Sequence, residues 1–252
     1  MTAPAVSTPE LDLPQHVWRG RELAQAPERV LATGHAALDA QLSGAGWPLG
    51  CLIEVLQAQP QLHVWQLLAP ALAQCMQAQP GPVVLVNAPY LPFGPGLQAQ
   101  GVKPAQLLCL QSPKASARLW AAEQALRCAD VSAVLAWLPV ARSEELRRLH
   151  LCAQQHDKWL VVFRGVEAGQ HSSPARLRLL VEGLEQGQMA VRILKRRGPP
   201  LLQPLVLQAQ PPRLAALLAA RKGRRNSSVP VAFPSIPSSV SHVLDRTASL
   251  TG

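Results

Sequence analysis

Short uninterrupted apolar runs alternate along the chain with stretches whose apolar residues recur every three or four positions. The runs at residues 51–56, 82–86, 131–138 and 159–163 have the length and β-branched content of buried strands, and 102–110 adds a short connection and strand. Helical spacing covers 62–76, where Val64, Trp65, Leu68, Leu72, Cys75 and Met76 share a face. Pro70 lies inside that segment and predicts a kink, because its ring lacks the N–H and crowds the carbonyl four residues back. Further helices are predicted over 116–128 and 143–156. In the second, Ser143 is the expected cap, and Glu144 and Glu145 suit the positive end of the dipole. Residues 188–195 alternate like a half-exposed strand, 201–207 reads as the last strand, and 213–221 as a final helix. Residues 1–14 read as loose, 17–46 as short helical or turn pieces, and 45–50 (A-G-W-P-L-G) as a tight loop.

Continuous apolar strands alternating with amphipathic helices predict an α/β domain, with a mostly parallel sheet covered on both faces and antiparallel strands added at one edge. The expected division is an N-terminal arm and linker over 1–28, a core over 29–222, and a Ser/Pro-rich flexible tail over 223–252. Within the tail, Val240, His242, Leu244, Asp245 and Arg246 form a mixed segment able to fold on a partner, with plain disorder as the competing expectation.

Charge sharpens this picture. The chain has 252 residues and a formal charge of +9. Acidic and basic residues balance over 1–170, so the surplus belongs to the last third. It gathers at Lys195, Arg196 and Arg197 and at Arg221, Lys222, Arg224 and Arg225. Such clusters suit phosphate backbones or acidic protein surfaces, or else form a solvated rim; no aromatic residue interleaves with them, so base stacking is not indicated. The 5 cysteines contain no CxxC and fit reduced thiols in a cytoplasmic protein. No apolar run approaches the ~20 residues of a membrane span.

A strand, a loop and a helix in succession is where α/β nucleotide-binding domains place their phosphate loop. That loop needs glycines so that backbone N–H groups can approach phosphate, a lysine for charge, and a hydroxyl for magnesium. At that spacing this chain has Gln57, Leu62, His63 and Val64. Losing the lysine and hydroxyl contacts alone weakens nucleotide binding by about 10²–10⁴-fold. No ATP-Mg binding, and no other cofactor, is expected there.

Several stretches, in order, resemble the RecA ATPase core: 31–39 (L-A-T-G-H-A-A-L-D), 44–55 (G-A-G-W-P-L-G-C-L-I-E-V), 101–109 (G-V-K-P-A-Q-L-L-C), and 178–182 through 191–197. The likeness spans about residues 30–200. In its register the metal-binding Asp of that core falls near Trp137 and the water-activating Glu near Pro89. The DNA-carrying segments would follow Leu138 and Phe163, and both are brief here. A RecA-like core without its phosphate loop, closing on I-L-K-R-R-G-P-P and a Ser/Pro tail, resembles the ImuA family. These are RecA-related accessory factors of SOS-induced, error-prone translesion DNA synthesis. The resemblance implies a non-enzymatic adaptor that joins ImuB and a DnaE-type polymerase, and that meets DNA or the RecA filament through the basic clusters. The competing expectations are SulA-like inhibition of FtsZ and a residual DNA-stimulated ATPase.

Other chemistry is thinner. Cys152 and His156 lie one helical turn apart, but nothing is spaced to complete a metal site, so ordinary packing is expected. Glu144 and Glu145 are adjacent and point apart. Ser43, Ser112 and Ser116 have no nucleophile elbow. His63 reads as a helix-start residue with no partner, Trp65 as core, and Trp47, in its Gly/Pro loop, as a surface contact residue.

Overall fold

A computed structural model of the chain describes residues 29–60, 63–78 and 81–209. The chain divides between Pro211 and Pro212, and every described residue belongs to the first unit. The helix expected over 213–221, Leu62, the cluster Arg221, Lys222, Arg224 and Arg225, and the tail segment Val240, His242, Leu244, Asp245 and Arg246 lie outside the described residues.

The elements follow in order. They are β1 (Val30–Leu31), α1 (Ala36–Asp39), β2 (Trp47–Pro48), β3 (Cys51–Gln57), α2 (Val64–Ala78), β4 (Val83–Val86), α3 (Gly94–Gln98) and β5 (Leu107–Leu110). Then come α4 (Ala115–Arg127), β6 (Ala133–Trp137), α5 (Ser143–Gln155), β7 (Trp159–Gly165), β8 (Leu177–Gly183), β9 (Gln188–Lys195) and β10 (Leu205–Gln208). β1 and β2 form a small antiparallel pair. The rest build an 8-stranded sheet in the order β10-β9-β8-β3-β7-β6-β4-β5. From β8 to β5 the pairings are parallel, while β9 and β10 join antiparallel at one edge.

Every residue of β3, β4 and β6 is buried, as strands covered on both faces must be. Alternation sends Ile53, Val55, Leu85, Leu135 and Val161 to the face covered by α2, and Leu52, Val84, Val134 and Leu160 to the face covered by α4 and α5. Among the described residues no helix is long and apolar enough to cross a membrane.

α2 continues through Pro70. Pro70 removes the N–H that would bond the Gln66 carbonyl. The His35 ring meets the helix there, at Leu67 O (3.2 Å) and at the Gln66 carbonyl. The pyrrolidine ring also packs where Gly34, at φ 79, has no Cβ. Ser143 is not the cap of α5. The helix begins at Ser143, and the Glu145 carboxylate accepts the Arg142 N–H (2.7 Å). Trp47 is not a surface residue: it is 0% exposed and lies 6.4 Å from Trp159, ring centre to ring centre. Pairing with β1 turns the supposed loop inward, against the core. Trp65 is half-buried against the core. Cys51, Cys75 and Cys152 are buried, Cys109 is half-buried and Cys128 is exposed, all of them free thiols.

Candidate functional site

The carboxyl ends of β3, β4, β6 and β7 enclose a cavity of about 330 Å³. This is the end of a parallel sheet at which α/β folds hold their ligands. The strand ends supply Gln57, Asn87, Trp137 and Arg164, and the following loops supply Pro60, Pro89, Pro139 and Glu167. Positions singled out far apart in sequence therefore meet. Gln57, Trp137 and Pro89, where the sequence reading expected a phosphate-loop glycine, a metal carboxylate and a catalytic carboxylate to have been replaced, all line this one cavity. Val64 and His63 do not. Val64 is buried in the core. His63 is half-buried at the helix start, at φ 53, with its carbonyl accepting the Leu67 N–H (2.9 Å). Burial pushes the His63 imidazole below the ordinary histidine range.

The cavity wall is aromatic. Trp137 stacks on Phe163 at 4.5 Å with a 19° tilt, and its indole N–H donates to Pro60 O (2.8 Å). That bond ties the end of β6 to the loop after β3. Asn87, at φ 57, turns the chain out of β4 in a conformation that asparagine tolerates. The Glu167 carboxylate lies over the bare backbone of Gly165, where a Cβ would come within 2.1 Å of it.

Beneath the cavity lies a buried ion cluster that sequence reasoning missed. Glu54 is 0% exposed and accepts from Arg164 Nη1 (2.9 Å) and Arg178 Nε (2.5 Å). Arg178 stands opposite Glu54 in the β3–β8 register, and Arg164 lies diagonally across on β7. The arginines also reach the surrounding loops. Arg178 donates to Ala168 O (2.7 Å) and His171 O (3.0 Å), and Arg164 to Ala141 O (2.9 Å). The available signal was a lone carboxylate in an apolar strand, which has to find buried cations.

The basic cluster at the end of β9 is more structural than its charge suggests. Lys195 is exposed, with Nζ donating to Ser173 O (2.9 Å). Arg196 is half-buried and donates to Pro199 O (2.7 Å) and to Gln41 O. Arg197, also half-buried, lies beside Arg176 and Arg196 near Ser43 and Gly46. The fold adds neighbours that sequence reasoning did not group: Arg176 and Arg147 join Lys195 within electrostatic reach of His150. Burial first, and those cations next, hold the His150 imidazole below its ordinary range. In keeping with a neutral ring, Nδ1 accepts the Leu52 N–H (3.1 Å). Cys152 Sγ lies 3.8 Å from Glu123 O, a packing contact. Among the described residues no three His, Cys, Asp or Glu side chains gather as metal ligands.

No family model matches the chain, and no curated protein matches it.

Proposed function

We propose that this chain is a RecA-like, ImuA-type adaptor of SOS-induced, error-prone translesion DNA synthesis, working through protein and phosphate contacts rather than turnover. It joins ImuB to a DnaE-type polymerase and meets DNA or the RecA filament through its basic surface. One observation carries the reading. The positions that the RecA resemblance assigns to phosphate-loop glycine, metal carboxylate and catalytic carboxylate converge on one cavity as Gln57, Trp137 and Pro89. Convergence of three independently placed positions supports the register. The residue types at these three positions argue against nucleotide chemistry: an amide, an indole whose N–H is already bonded, and a proline offer no cation, no metal-binding carboxylate and no general base. The Glu167 carboxylate on the same wall repels phosphate further. The placement of β3 between parallel β7 and β8, followed by loop and helix, is in keeping with a phosphate-loop ancestry.

Purified chain with ATP-Mg and single-stranded DNA is expected to release no phosphate above background and to give no binding heat; steady release overturns the pseudo-enzyme reading. The same chain is expected to retain ImuB and the polymerase in a pull-down. Truncation at Arg225 is expected to weaken that retention if the tail tethers the partner. Loss of FtsZ polymer from a sedimented pellet, with no retention of ImuB, would assign the chain to SulA-like inhibition instead.

A further inference from the structure

The cavity does not end at its own walls. Pro89, Pro139 and Gly165 line it, and the residues that follow each of them are apolar and left in water: Tyr90 (66% exposed) and Leu91 (77%), Val140 (70%), and Val166 (45%). Tyr90, Leu91 and Val166 are thus exposed apolar residues next in sequence to the lining of this cavity, while Val140 lines a second one. Exposed apolar groups beside a cavity mark an interaction surface.

A second cavity, of about 360 Å³, lies on the other side of the segment after β6. Trp137 and Pro139 face the first cavity, while Leu138, Val140, Ala141 and Arg142 face the second. The Arg164 bond to Ala141 O pins the segment between them. The second cavity is cationic. Arg118 and Arg142 line it, and its one carboxylate, Glu145, is already engaged by the Arg142 N–H. Arg118 donates to the neutral carbonyls of Ser112 (2.6 Å) and Pro113 (3.0 Å), so its charge meets no carboxylate there.

We propose that this face is a docking groove for an extended acidic segment of a partner protein. The segment seats one large apolar side chain in the Trp137–Phe163 cavity and pairs an acidic side chain with Arg142 and Arg118. This deepens the adaptor reading and rests on it for the existence of a protein partner. Charge complementarity chooses the occupant: two guanidinium groups against one carboxylate, Glu145, favour an acidic side chain in the second cavity, and Glu167 on the wall of the first confines the acid to the second. A small aromatic molecule would be served by the first cavity alone. The second cavity, with Arg118 and Arg142, is surplus to such a ligand, and it fits a chain long enough to reach both. From Pro139 to Arg142 the backbone spans at most about 10 Å, at ~3.3–3.6 Å per residue. An extended peptide covers that in about three residues, which sets the spacing between its apolar anchor and its acid.

A random twelve-residue peptide library displayed on phage, selected against the full chain, tests this. Enriched peptides are expected to carry a large apolar residue with Asp or Glu two to four positions away. A labelled synthetic copy of one is expected to bind Arg142→Glu and Leu91→Ser at least tenfold more weakly, with both variants melting like the parent. Both substituted side chains are exposed, so folding is not at stake. Enrichment of basic or charge-indifferent peptides, absence of enrichment, or affinity unchanged in Arg142→Glu overturns the proposal. So does self-association of the chain that Arg142→Glu abolishes, which would assign the face to a second copy. ATP hydrolysis would sink the adaptor reading without touching the peptide result, so the two failures are distinguishable.

Discussion

Replacing Glu54 by glutamine is the sharpest perturbation available. Glu54 is wholly buried, and Arg164 and Arg178 keep only 10% and 8% of their side-chain surface. Glu54→Gln preserves shape but leaves two guanidinium groups in the sheet with no counter-charge. Breaking a buried ion pair from one side costs about 3–5 kcal/mol. In a folded unit of about 200 residues, 1 kcal/mol moves Tm by about 2–4 °C, so a fall of about 6–20 °C is expected. The damage should be local as well as global. Arg164 and Arg178 hold Ala141, Ala168 and His171, so limited proteolysis should reach residues 139–142 and 166–173 first. The triple replacement Glu54→Leu, Arg164→Met and Arg178→Met removes all the charges together and is expected to lose far less, or to gain, because no ion is then stranded. Urea denaturation of the three proteins gives the comparison. A Glu54→Gln protein within about 1 kcal/mol of the parent, or a triple variant weaker than the single, would refute the cost assigned to the stranded charges.

Four other outcomes are expected. His150 has its folded pKa lowered below the unfolded value of about 6.5, so its contribution is present above that pH and is lost as pH falls through the folded pKa. The urea midpoint should therefore drop between about pH 7 and pH 5, and His150→Asn should flatten the drop, leaving the shares due to His35 and His63, which burial also lowers. Trp47→Ala should cost about 3–5 kcal/mol in a thermal melt, as an interior indole does, and a surface role would show almost no change. Gly34→Ala should lower Tm, because φ is 79 and a Cβ would fall 2.3 Å from Pro70 Cβ. Lys195→Gln with Arg176→Gln should weaken duplex DNA binding and reduce its log–log salt slope by about 2, whereas Arg196→Gln should mainly lower Tm, since that side chain bonds Gln41 and Pro199. A binding titration from low to high salt reads both effects.

The local pattern along the chain determined the strands and the long helices. Seven consecutive buried residues in β3, or helical spacing in α4, are properties of neighbours in sequence, so burial on both faces or on one stripe could be read directly. The lack of a GxxxxGK[ST] run between β3 and α2 is likewise a property of the sequence, because that motif needs its cation and hydroxyl at fixed short spacing. Trp137 and Pro89 were singled out only as an expectation from the RecA resemblance, not by any pattern in the chain. Tertiary structure alone decided that they share a cavity with Gln57, because strand order brings together ends that lie tens of residues apart. It decided that Trp47 is interior, because the partner that turns it inward is a two-residue strand too short to leave a periodic signal. It decided which arginines are buried: Arg164 and Arg178 look like any others in sequence until the parallel register sets them beside Glu54. Local propensity and periodicity are near-neighbour physics and survive in the text of the chain, whereas charge pairing, cavity walls and surface patches depend on long-range register, which only the folded sheet supplies.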